Sequence, residues 1–217
     1  MKKKEYCSLG IMSGTSLDGL DFSLIKTDGK KNIKIIINDY YKFNDNFKES
    51  IKKLIKNVNN SNYKFFFDSK DFTSFNKIFT EYIYKSITNF LSKNSFRIEL
   101  LDVIGIHGNT IIHKPNEGLS IQLGDAKILS KKLNKLIISN FRDNDIKEKG
   151  QGAPLVPIFH QNLFSEKNKK IMVINIGGIS NFTFLKGKRK ILASDIGPGN
   201  KLIDEYCNLN FKVSYDV

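Results

Sequence analysis

The stretch Gly10–Asp21 reads GIMSGTSLDGLD and is the part of the sequence that decides the fold. It places glycines, three hydroxyl side chains and an Asp-Gly turn between two short apolar runs, which predicts a strand, a phosphate-sized loop and a returning strand. A second segment of this kind, IMVINIGGISNFTFL at 171–185, has apolar runs on both sides of Gly177 and Gly178. Two strand–loop–strand units in one chain predict two lobes that hold one phosphate chain.

Composition places the 217-residue chain among globular proteins, because 40% of its residues are hydrophobic. This length allows one large domain, or one domain and part of another. The net charge of +13 suggests nucleic-acid binding as one option, but all basic residues except Arg97, Arg142 and Arg189 are lysines. The lysines are scattered among acids and asparagines, without a basic patch that carries aromatic side chains for base stacking. We therefore interpret them as a solvated surface and expect no nucleic-acid partner.

The cysteines and the N-terminus indicate the compartment. Cys7 and Cys207 lie far apart in the sequence and form no disulfide framework, which favours a reducing environment. The N-terminal MKKKEYCSLGIM carries charge, but its apolar run is too short for a signal peptide. No segment approaches the ~20 apolar residues of a membrane-spanning helix. The sequence therefore predicts a cytoplasmic protein without a membrane partner.

Short apolar runs alternate with segments of helical spacing, which predicts an α/β protein with a mixed sheet and flanking helices. The predicted strands are 8–12, 22–27, 33–38, 101–106, 119–123, 136–139, 171–176, 181–185 and 190–194. The predicted helices are 51–58, 75–90 with a core-facing aromatic stripe, a segment from Asp125, 152–164 with Pro154 in its first turn, and a segment from near Asn200. A polar loop is predicted at 57–62. The charged run Ser165–Lys170 marks a boundary between domains 1–168 and 169–217.

Six blocks of the sequence carry a family resemblance: GIMSGTSLDGLD, GNTIIHKP, FRDND, GQGAPLVPIFH, NIGGISNF and DIGPGNKLID. They occur in the order found in anhydro-N-acetylmuramic acid kinases, which the chain resembles from about Leu9 to Asp204. Several separate motifs in one order are far more specific than a lone glycine motif. The chain departs from the family pattern at Asn109 and Asn140, where the family tends to have glutamine and aspartate.

The resemblance implies a fold and its extent. The family belongs with the sugar kinases, heat-shock ATPases and actin, so it implies actin-like (ribonuclease H-like) α/β lobes, and the two glycine hairpins resemble their paired halves. Members continue well beyond the DIGPGN block. Their later adenosine-binding segment and a further sugar-facing carboxylate have no counterpart before Val217. We therefore expect an incomplete second lobe, and either a homodimer or a partner chain that supplies the missing half.

The glycine hairpins are the candidate nucleotide site, because phosphoryl transfer depends on backbone N–H groups, small hydroxyls and Mg²⁺ placed around the phosphates. The chain lacks a GxxxxGK[ST] motif and is not a P-loop enzyme. Met12 stands where many actin-like proteins carry a metal-side acid, so the Mg²⁺ ligands stay unknown, with Asp18 or Asp21 as candidates. A plain hairpin with an Asp-Gly turn is the alternative. The candidate nucleotide-binding residues are Ser13, Gly14, Thr15, Ser16, Leu17, Asp18, Gly19, Leu20, Gly177 and Gly178.

Asp195 is the candidate catalytic base. It follows the apolar run KILAS and precedes Gly197, Pro198 and Gly199, which predicts a carboxylate at a strand end beside a turn and a helix N-terminus. The resemblance implies that this carboxylate takes a proton from the water that attacks the anomeric carbon, while O6 of the opening 1,6-anhydro bridge receives the γ-phosphoryl group. An aspartate that caps the helix from Asn200 is the alternative.

Four polar residues are candidate sugar ligands: His107, Thr110, Arg142 and Asp145. Polar groups at strand ends can bind sugar hydroxyls and carboxylates. Arg142 suits the lactyl carboxylate of a muramic sugar, because a guanidinium binds a carboxylate through two parallel hydrogen bonds. A histidine with purely internal hydrogen bonds is the alternative for His107. Histidines and cysteines are too few and too scattered for a zinc site.

The resemblance and these residues together predict an ATP-dependent kinase with Mg²⁺. It would open the 1,6-anhydro ring of anhydro-N-acetylmuramic acid with water and phosphorylate O6, which gives N-acetylmuramic acid 6-phosphate in cell-wall recycling. Two other functions stay open at this point. One is a non-catalytic fragment that binds muramyl sugar or phosphate and needs a partner half. The other is a basic nucleic-acid-binding protein.

Overall fold

The structure is a computed structural model that describes residues 5–60, 66–188 and 190–213, with side chains except at 59 and 60. The strands of this part of the chain are β1 Tyr6–Ser13, β2 Gly19–Thr27, β3 Ile33–Lys42, β4 Val103–Lys114, β5 Leu119–Leu123, β6 Ile137–Ile138, β7 Lys170–Ile176, β8 Ile179–Lys186 and β9 Lys190–Pro198. The α-helices are α1 Asp45–Asn60, α2 Lys70–Lys93, α3 Ala126–Leu133, α4 Asp143–Lys147, α5 Pro157–Phe164 and α6 Lys201–Phe211, and the 3₁₀ helices are Ile98–Leu100 and Pro115–Glu117.

The chain divides into two compact units, Met1–Gly152 (unit 1) and Ala153–Val217 (unit 2). The division falls before α5, whereas the boundary predicted from the charged run falls after it. Helix α5 contacts β8 and β9 and therefore belongs with the strands that follow it.

Unit 1 is built on a mixed sheet with the strand order β3-β2-β1-β4-β5, and β6 pairs with β4 outside this path. Strands β1, β2 and β3 are antiparallel neighbours, whereas β1 runs parallel to β4. Alternate side chains of β1 are buried, as expected for a strand with one face on the core. The pairing of β1 with β4 places Ser13 opposite Asn109. The end of β1 therefore lies beside the middle of β4.

Helices α1 and α2 bury their apolar faces in the core of unit 1. Ser69 caps α2, because its hydroxyl accepts a hydrogen bond from the Phe72 N–H at 3.2 Å. The aromatic stripe predicted for the core is confirmed in α2, where four side chains are fully buried: Phe79, Ile83, Ile87 and Phe90. The α/β class with a mixed sheet and flanking helices is confirmed as well.

Two polar side chains of α2 hold the loop that follows β5. Asn76 Oδ1 accepts a hydrogen bond from the Gly124 N–H at 2.8 Å, and Thr80 Oγ1 accepts one from the Asp125 N–H at 2.9 Å. The Asp125 carboxylate in turn accepts hydrogen bonds from two backbone N–H groups in the first turn of α3. Helix α3 therefore begins where the sequence predicts it.

Unit 2 contains the antiparallel sheet β7-β8-β9 together with α5 and α6. Helix α5 packs on one face of this sheet, where His160 Nδ1 lies 3.0 Å from Thr183 Oγ1 and Thr183 is buried. In the strand pairing, Val173 and Ala193 lie on either side of Thr183. Val173, Thr183 and Ala193 therefore lie on the same face of the sheet, the face that α5 covers.

The opposite face of the unit 2 sheet carries exposed apolar side chains. Met172 pairs with Phe184, which pairs with Leu192, and Ile174 pairs with Phe182. We call these five residues the apolar face of unit 2. Met172, Ile174 and Leu192 are 57%, 55% and 59% exposed. Helix α6 also has exposed apolar side chains, at Leu202, Ile203, Tyr206, Leu209 and Phe211.

Several predicted boundaries are wrong. The strand predicted for 101–106 runs from Val103 to Lys114, because its pairing with β5 continues it, so His107 and Thr110 lie within β4 and not at a strand end. The helix predicted for 152–164 begins only at Pro157, which takes the first-turn position predicted for Pro154. The polar loop predicted from Asn57 is helical up to Asn60, because the apolar side of α1 is packed while Asn57 faces solvent; positions 61 and 62 lie outside the described residues. Strand β9 continues to Pro198 instead of ending before Asp195.

No helix in the described ranges is long and apolar enough to cross a membrane. Cys7 and Cys207 are both free thiols with buried side chains.

Candidate functional site

The loop between β1 and β2 is held in shape from within unit 1. Ser13, the last residue of β1, is buried, and the Gly14 carbonyl accepts a hydrogen bond from the Leu17 N–H at 3.3 Å. The Leu17 side chain packs in the core although its backbone is left-handed, with φ of 59°. This conformation is unfavourable for leucine, so the core packing must compensate for it. Thr15 and Ser16 are exposed, which leaves their hydroxyls accessible to a ligand.

Asn109 on β4 fastens the beginning of this loop. Its Nδ2 group donates to Ser13 Oγ at 3.1 Å and to the Gly14 carbonyl at 2.8 Å. The Asn109 side chain is fully buried, and its Oδ1 has no hydrogen-bond partner among the described residues. The sequence identified Asn109 only as a departure from the family pattern. Its role arises from the parallel β1–β4 register, which cannot be read from spacing along the chain.

The two glycines of the loop have different reasons to be glycine. A Cβ atom on Gly14 would have Ser16 Oγ as its nearest neighbour, at 3.5 Å. A Cβ atom on Gly19 would lie 2.3 Å from the Tyr41 carbonyl oxygen, so the packing of β2 against β3 requires glycine there. Nothing in the described part of the chain crowds a Cβ at Gly14. The lack of a side chain there allows a ligand to approach the backbone.

Two acids belong to this segment: Asp18 is the last residue of the loop, and Asp21 follows on β2. Asp18 Oδ1 lies 3.1 Å from Lys48 Nζ. Partial burial raises the pKa of the Asp21 carboxyl above its usual range, and the charge of Asp18 raises it further. No group of three or more His, Cys, Asp or Glu side chains in the described ranges is arranged for a metal ion. Two carboxylates suffice for Mg²⁺ when nucleotide phosphates complete its coordination, so this donor pair fits the ion only together with a nucleotide.

His107 and Arg142 form a hydrogen-bonded pair in unit 1. Arg142 Nε donates to His107 Nε2 at 3.1 Å, and His107 Nδ1 lies 2.9 Å from the Gly108 carbonyl oxygen. Arg142 Nη1 also donates to the Gly152 carbonyl at 2.7 Å. Burial lowers the pKa of His107 below its usual range; the Gly108 hydrogen bond opposes this effect, and the charge of Arg142 adds to it. The imidazole is therefore neutral at physiological pH.

Asp145 lies near this pair and organises the GQG segment that follows it. Its Oδ2 accepts a hydrogen bond from the Gly152 N–H at 2.6 Å. A Cβ atom on Gly150 would lie 2.3 Å from the same carboxylate oxygen, so a larger residue there would displace the carboxylate from the Gly152 N–H. Thr110, the fourth candidate sugar ligand, has a buried Oγ1 without a hydrogen-bond partner among the described residues. The structure thus brings His107, Arg142 and Asp145 together around Gly152.

In unit 2, Gly177 and Gly178 form the turn between β7 and β8. Their carbonyls accept hydrogen bonds at 2.9 Å from the N–H groups of Asn200 and Gly199, respectively, which ties the turn to the start of α6. A Cβ atom on Gly177 would have no neighbour closer than 3.7 Å, and one on Gly178 none closer than 3.8 Å. As at Gly14, a Cβ at these positions would make ordinary van der Waals contacts without crowding.

Asp195 lies within β9, beside a bulge. Asn181 pairs with Asp195 and Ser180 pairs with Gly197, which leaves Ile196 as the extra residue. Such bulges bend a strand and redirect its side chains, and they are frequent next to active sites. Asp195 is exposed, and its carboxylate has no hydrogen bond or ion pair within the described part of the chain. Asn200 occupies the N-cap of α6, so Asp195 is not the capping residue.

Comparison with known proteins identifies the family. The sequence model of the family described as anhydro-N-acetylmuramic acid kinase matches residues 6–217. A protein of that name from Pelagibacter ubique (strain HTCC1062) is 38% identical over 223 residues, which cover 99% of this chain and 57% of that protein. Another, from Zymomonas mobilis subsp. mobilis, is 34% identical over 211 residues, which cover 96% of this chain and 58% of that protein. The chain belongs to the anhydro-N-acetylmuramic acid kinase family.

The match covers this chain almost completely but its relatives only in part. The chain spans little more than half the length of the curated relatives it matches. Among solved structures, a Ppx/GppA family member from Aquifex aeolicus is similar over 93% of this chain and 54% of its own, with a TM-score of 0.39 and 9% sequence identity. The mixed sheet with flanking helices gives the α/β class, and the actin-like lobes stay an expectation from the family resemblance.

Proposed function

We propose that this chain is the phosphate- and sugar-binding part of an ATP-dependent anhydro-N-acetylmuramic acid kinase. Such an enzyme opens the 1,6-anhydro ring with water and phosphorylates O6, giving N-acetylmuramic acid 6-phosphate in cell-wall recycling. The observation that carries the proposal is the β1–β2 loop. A Cβ on Gly14 there would meet Ser16 Oγ at an ordinary packing distance, two exposed hydroxyls follow it, and the buried amide of Asn109 holds the Gly14 carbonyl. This is the environment that a phosphate group requires.

Each candidate residue has a distinct role in this proposal. The hydroxyls of Thr15 and Ser16 and the backbone N–H groups of the loop donate hydrogen bonds to phosphate oxygens. The exposed carboxylate of Asp195 accepts the proton of the attacking water, whose oxygen bonds to the anomeric carbon as the bond from that carbon to O6 breaks. O6 in turn bonds to the γ-phosphorus of ATP, and ADP leaves. Arg142 holds the lactyl carboxylate of the sugar. Gly177 and Gly178 offer a second open backbone for the nucleotide.

Mg²⁺ is the cofactor implied by phosphoryl transfer, and Asp18 and Asp21 are the side chains proposed to hold it. The ion would neutralise charge on the phosphates. Partial burial and, to a smaller extent, the charge of Asp18 raise the pKa of Asp21. This supports the assignment, because a bound cation would relieve the repulsion between the two carboxylates.

The apolar face of unit 2 favours a second half that covers it. Met172, Ile174 and Leu192 are more than half exposed, and exposed apolar patches of this kind promote association. The relatives are also considerably longer than this chain. We therefore expect the 217-residue chain alone to form oligomers or aggregates, to bind nucleotide weakly, and to phosphorylate no sugar.

This expectation is tested by completion. The missing half is taken from the part of the Pelagibacter ubique relative that the match leaves uncovered. It is supplied as a separate chain or fused to this chain, and we call the combination the completed protein. We expect it to convert anhydro-N-acetylmuramic acid, ATP and Mg²⁺ into a phosphorylated sugar, as measured by mass spectrometry. Size-exclusion chromatography of the chain alone serves as the comparison. A monomeric chain that phosphorylates the sugar by itself would contradict the need for a second half, and an inactive but folded completed protein would contradict the kinase proposal.

Gly14→Val tests the phosphate loop. A branched side chain at this position would occupy the space in front of the backbone, so we expect the affinity of the completed protein for ATP and Mg²⁺ to fall about tenfold or more. Stability without ligand should change little, because a Cβ there would meet Ser16 Oγ at an ordinary packing distance, 3.5 Å. The measurement is the melting temperature with and without nucleotide.

Two further glycine variants control this result. Gly10→Ala, on β1, also adds a Cβ at an ordinary packing distance, 3.8 Å from the Ser23 carbonyl oxygen, and should keep the nucleotide-induced shift. Gly19→Ala should lower the melting temperature even without nucleotide, because its Cβ would collide with Tyr41. If Gly14→Val shows the same nucleotide-induced shift as the unmodified protein, the loop is a simple turn.

We also propose a cytoplasmic location. Two free, buried cysteines suit a reducing compartment, and the proposed reaction uses ATP.

A further inference from the structure

Both ring nitrogens of His107 are engaged within the protein. The Gly108 carbonyl can only accept a hydrogen bond, so the Nδ1 atom 2.9 Å away carries the proton. The Arg142 Nε–H can only donate, so the Nε2 atom 3.1 Å away is the acceptor. One neutral tautomer satisfies both contacts. This tautomer leaves no ring N–H or ring lone pair for a sugar hydroxyl.

Arg142 is held at two points. Its Nε–H group binds His107, and its Nη1 binds the Gly152 carbonyl at 2.7 Å. A guanidinium has five N–H donors in one plane, so three of them stay available to a ligand. Fixing both Nε and Nη1 fixes this plane, whereas the Gly152 contact alone would let the group rotate about the Nη1 hydrogen bond.

We propose that His107 is a positioning residue, and not a sugar ligand, whose Nε2 orients the Arg142 guanidinium to bind the carboxylate of an acidic sugar. This inference rests on the proposed function of the site. It makes His107 a determinant of specificity: its contribution should be large for a substrate with a carboxylate and small for a neutral one. Gly108 has a left-handed backbone, with φ of 71°, and its own carbonyl oxygen contacts the imidazole of His107.

The contact itself is tested by nitrogen NMR of the histidine rings in the completed protein. The His107 signals are assigned by their absence in His107→Gln. We expect the tautomer with a proton on Nδ1 and an unprotonated Nε2 at neutral pH. We also expect the Nε2 signal to shift in Arg142→Lys, which keeps the charge but lacks the Nε donor. A proton on Nε2, or no response to Arg142→Lys, would overturn the proposal without any reference to kinase activity.

The consequence for specificity is tested with two substrates, anhydro-N-acetylmuramic acid and its carboxamide, in which the lactyl carboxylate is neutral. We expect His107→Leu to raise KM for the acid about tenfold, the effect of losing one charge-assisted contact, with kcat little changed and with a much smaller effect on the carboxamide. His107→Gln should restore much of the affinity, because its amide oxygen can accept from Arg142.

His113→Gln is the matched control, since His113 lies on the same strand but is exposed and bonded to Ser120. It should leave both KM values near those of the unmodified protein. Equal losses for the acid and the carboxamide in His107→Leu would show a purely structural role and overturn the proposal. If the unmodified completed protein phosphorylates neither substrate, the proposed function fails, while the NMR result still decides whether His107 orients Arg142.

Discussion

Replacing Asp195 with asparagine is expected to lower the turnover of the completed protein by roughly 10² or more. Asparagine preserves the shape of the side chain but cannot take the proton of the attacking water. The carboxylate is exposed on β9 and is not used to cap α6, so the fold should tolerate the change. The affinity for nucleotide should persist. Turnover is measured by the formation of phosphorylated sugar, and nucleotide binding by calorimetry.

Asp204→Asn provides a matched control for this experiment. Asp204 belongs to the same DIGPGNKLID segment but lies in the first turn of α6. Its neutralisation should cost only a few tenths to about 1 kcal/mol of stability through the helix dipole and should leave turnover nearly unchanged. Near-normal turnover in Asp195→Asn, or an equal loss in both variants, would rule out Asp195 as the base.

Gly108→Ala is expected to destabilise the protein by about 3 kcal/mol or more, because a non-glycine residue in the left-handed region and an overpacked contact each cost about 1–3 kcal/mol. The φ of Gly108 is 71°, and an added Cβ would lie 1.9 Å from the Leu123 carbonyl oxygen. Strands β4 and β5 would have to separate at this point. Urea unfolding followed by circular dichroism measures the change in the free energy of unfolding.

Gly105→Ala, on the same strand, separates this effect from a general intolerance of β4 to substitution. Its Cβ would contact only the Phe141 ring, at 3.5 Å, which is an ordinary packing distance. We expect its stability to stay within about 1 kcal/mol of the unmodified protein. Similar stabilities of Gly108→Ala and Gly105→Ala would show that the backbone at Gly108 is free to adopt another conformation.

The sequence predicts the ends of a helix or strand correctly where residues next to that end determine it. Strand β5 has the predicted bounds, and α3 begins after Asp125 because its carboxylate caps the helix. One signal had two local solutions: Pro154 and Pro157 both suit a first helical turn, and the helix begins at Pro157. Likewise, the Gly-Pro-Gly sequence after Asp195 predicted a turn, whereas pairing with β8 extends the strand through a bulge.

The candidate site was predictable as a set of residues but not as a set of contacts. The glycine–hydroxyl pattern identified the β1–β2 loop, yet it could not distinguish Gly14, which is open, from Gly19, which the Tyr41 carbonyl crowds. The link between Asn109 and the loop spans 95 positions, from Gly14, and the link between His107 and Arg142 spans 35. Such contacts depend on strand register and on the path of loops, which periodicity does not encode.

The buried anchor of the β1–β2 loop has a consequence for the thermodynamics of ligand binding. Leu17 is packed in the core, and Asn109 Nδ2 donates a hydrogen bond to the Gly14 carbonyl. We therefore expect the loop to keep this conformation when no ligand is bound. An anion that enters it immobilises few additional torsions, and the entropy of the loop was lost earlier, when unit 1 folded. Titration calorimetry of this site should therefore show only a small conformational entropy penalty. Shortening the Leu17 side chain should enlarge that penalty, although this side chain packs in the core and makes no contact with the ligand.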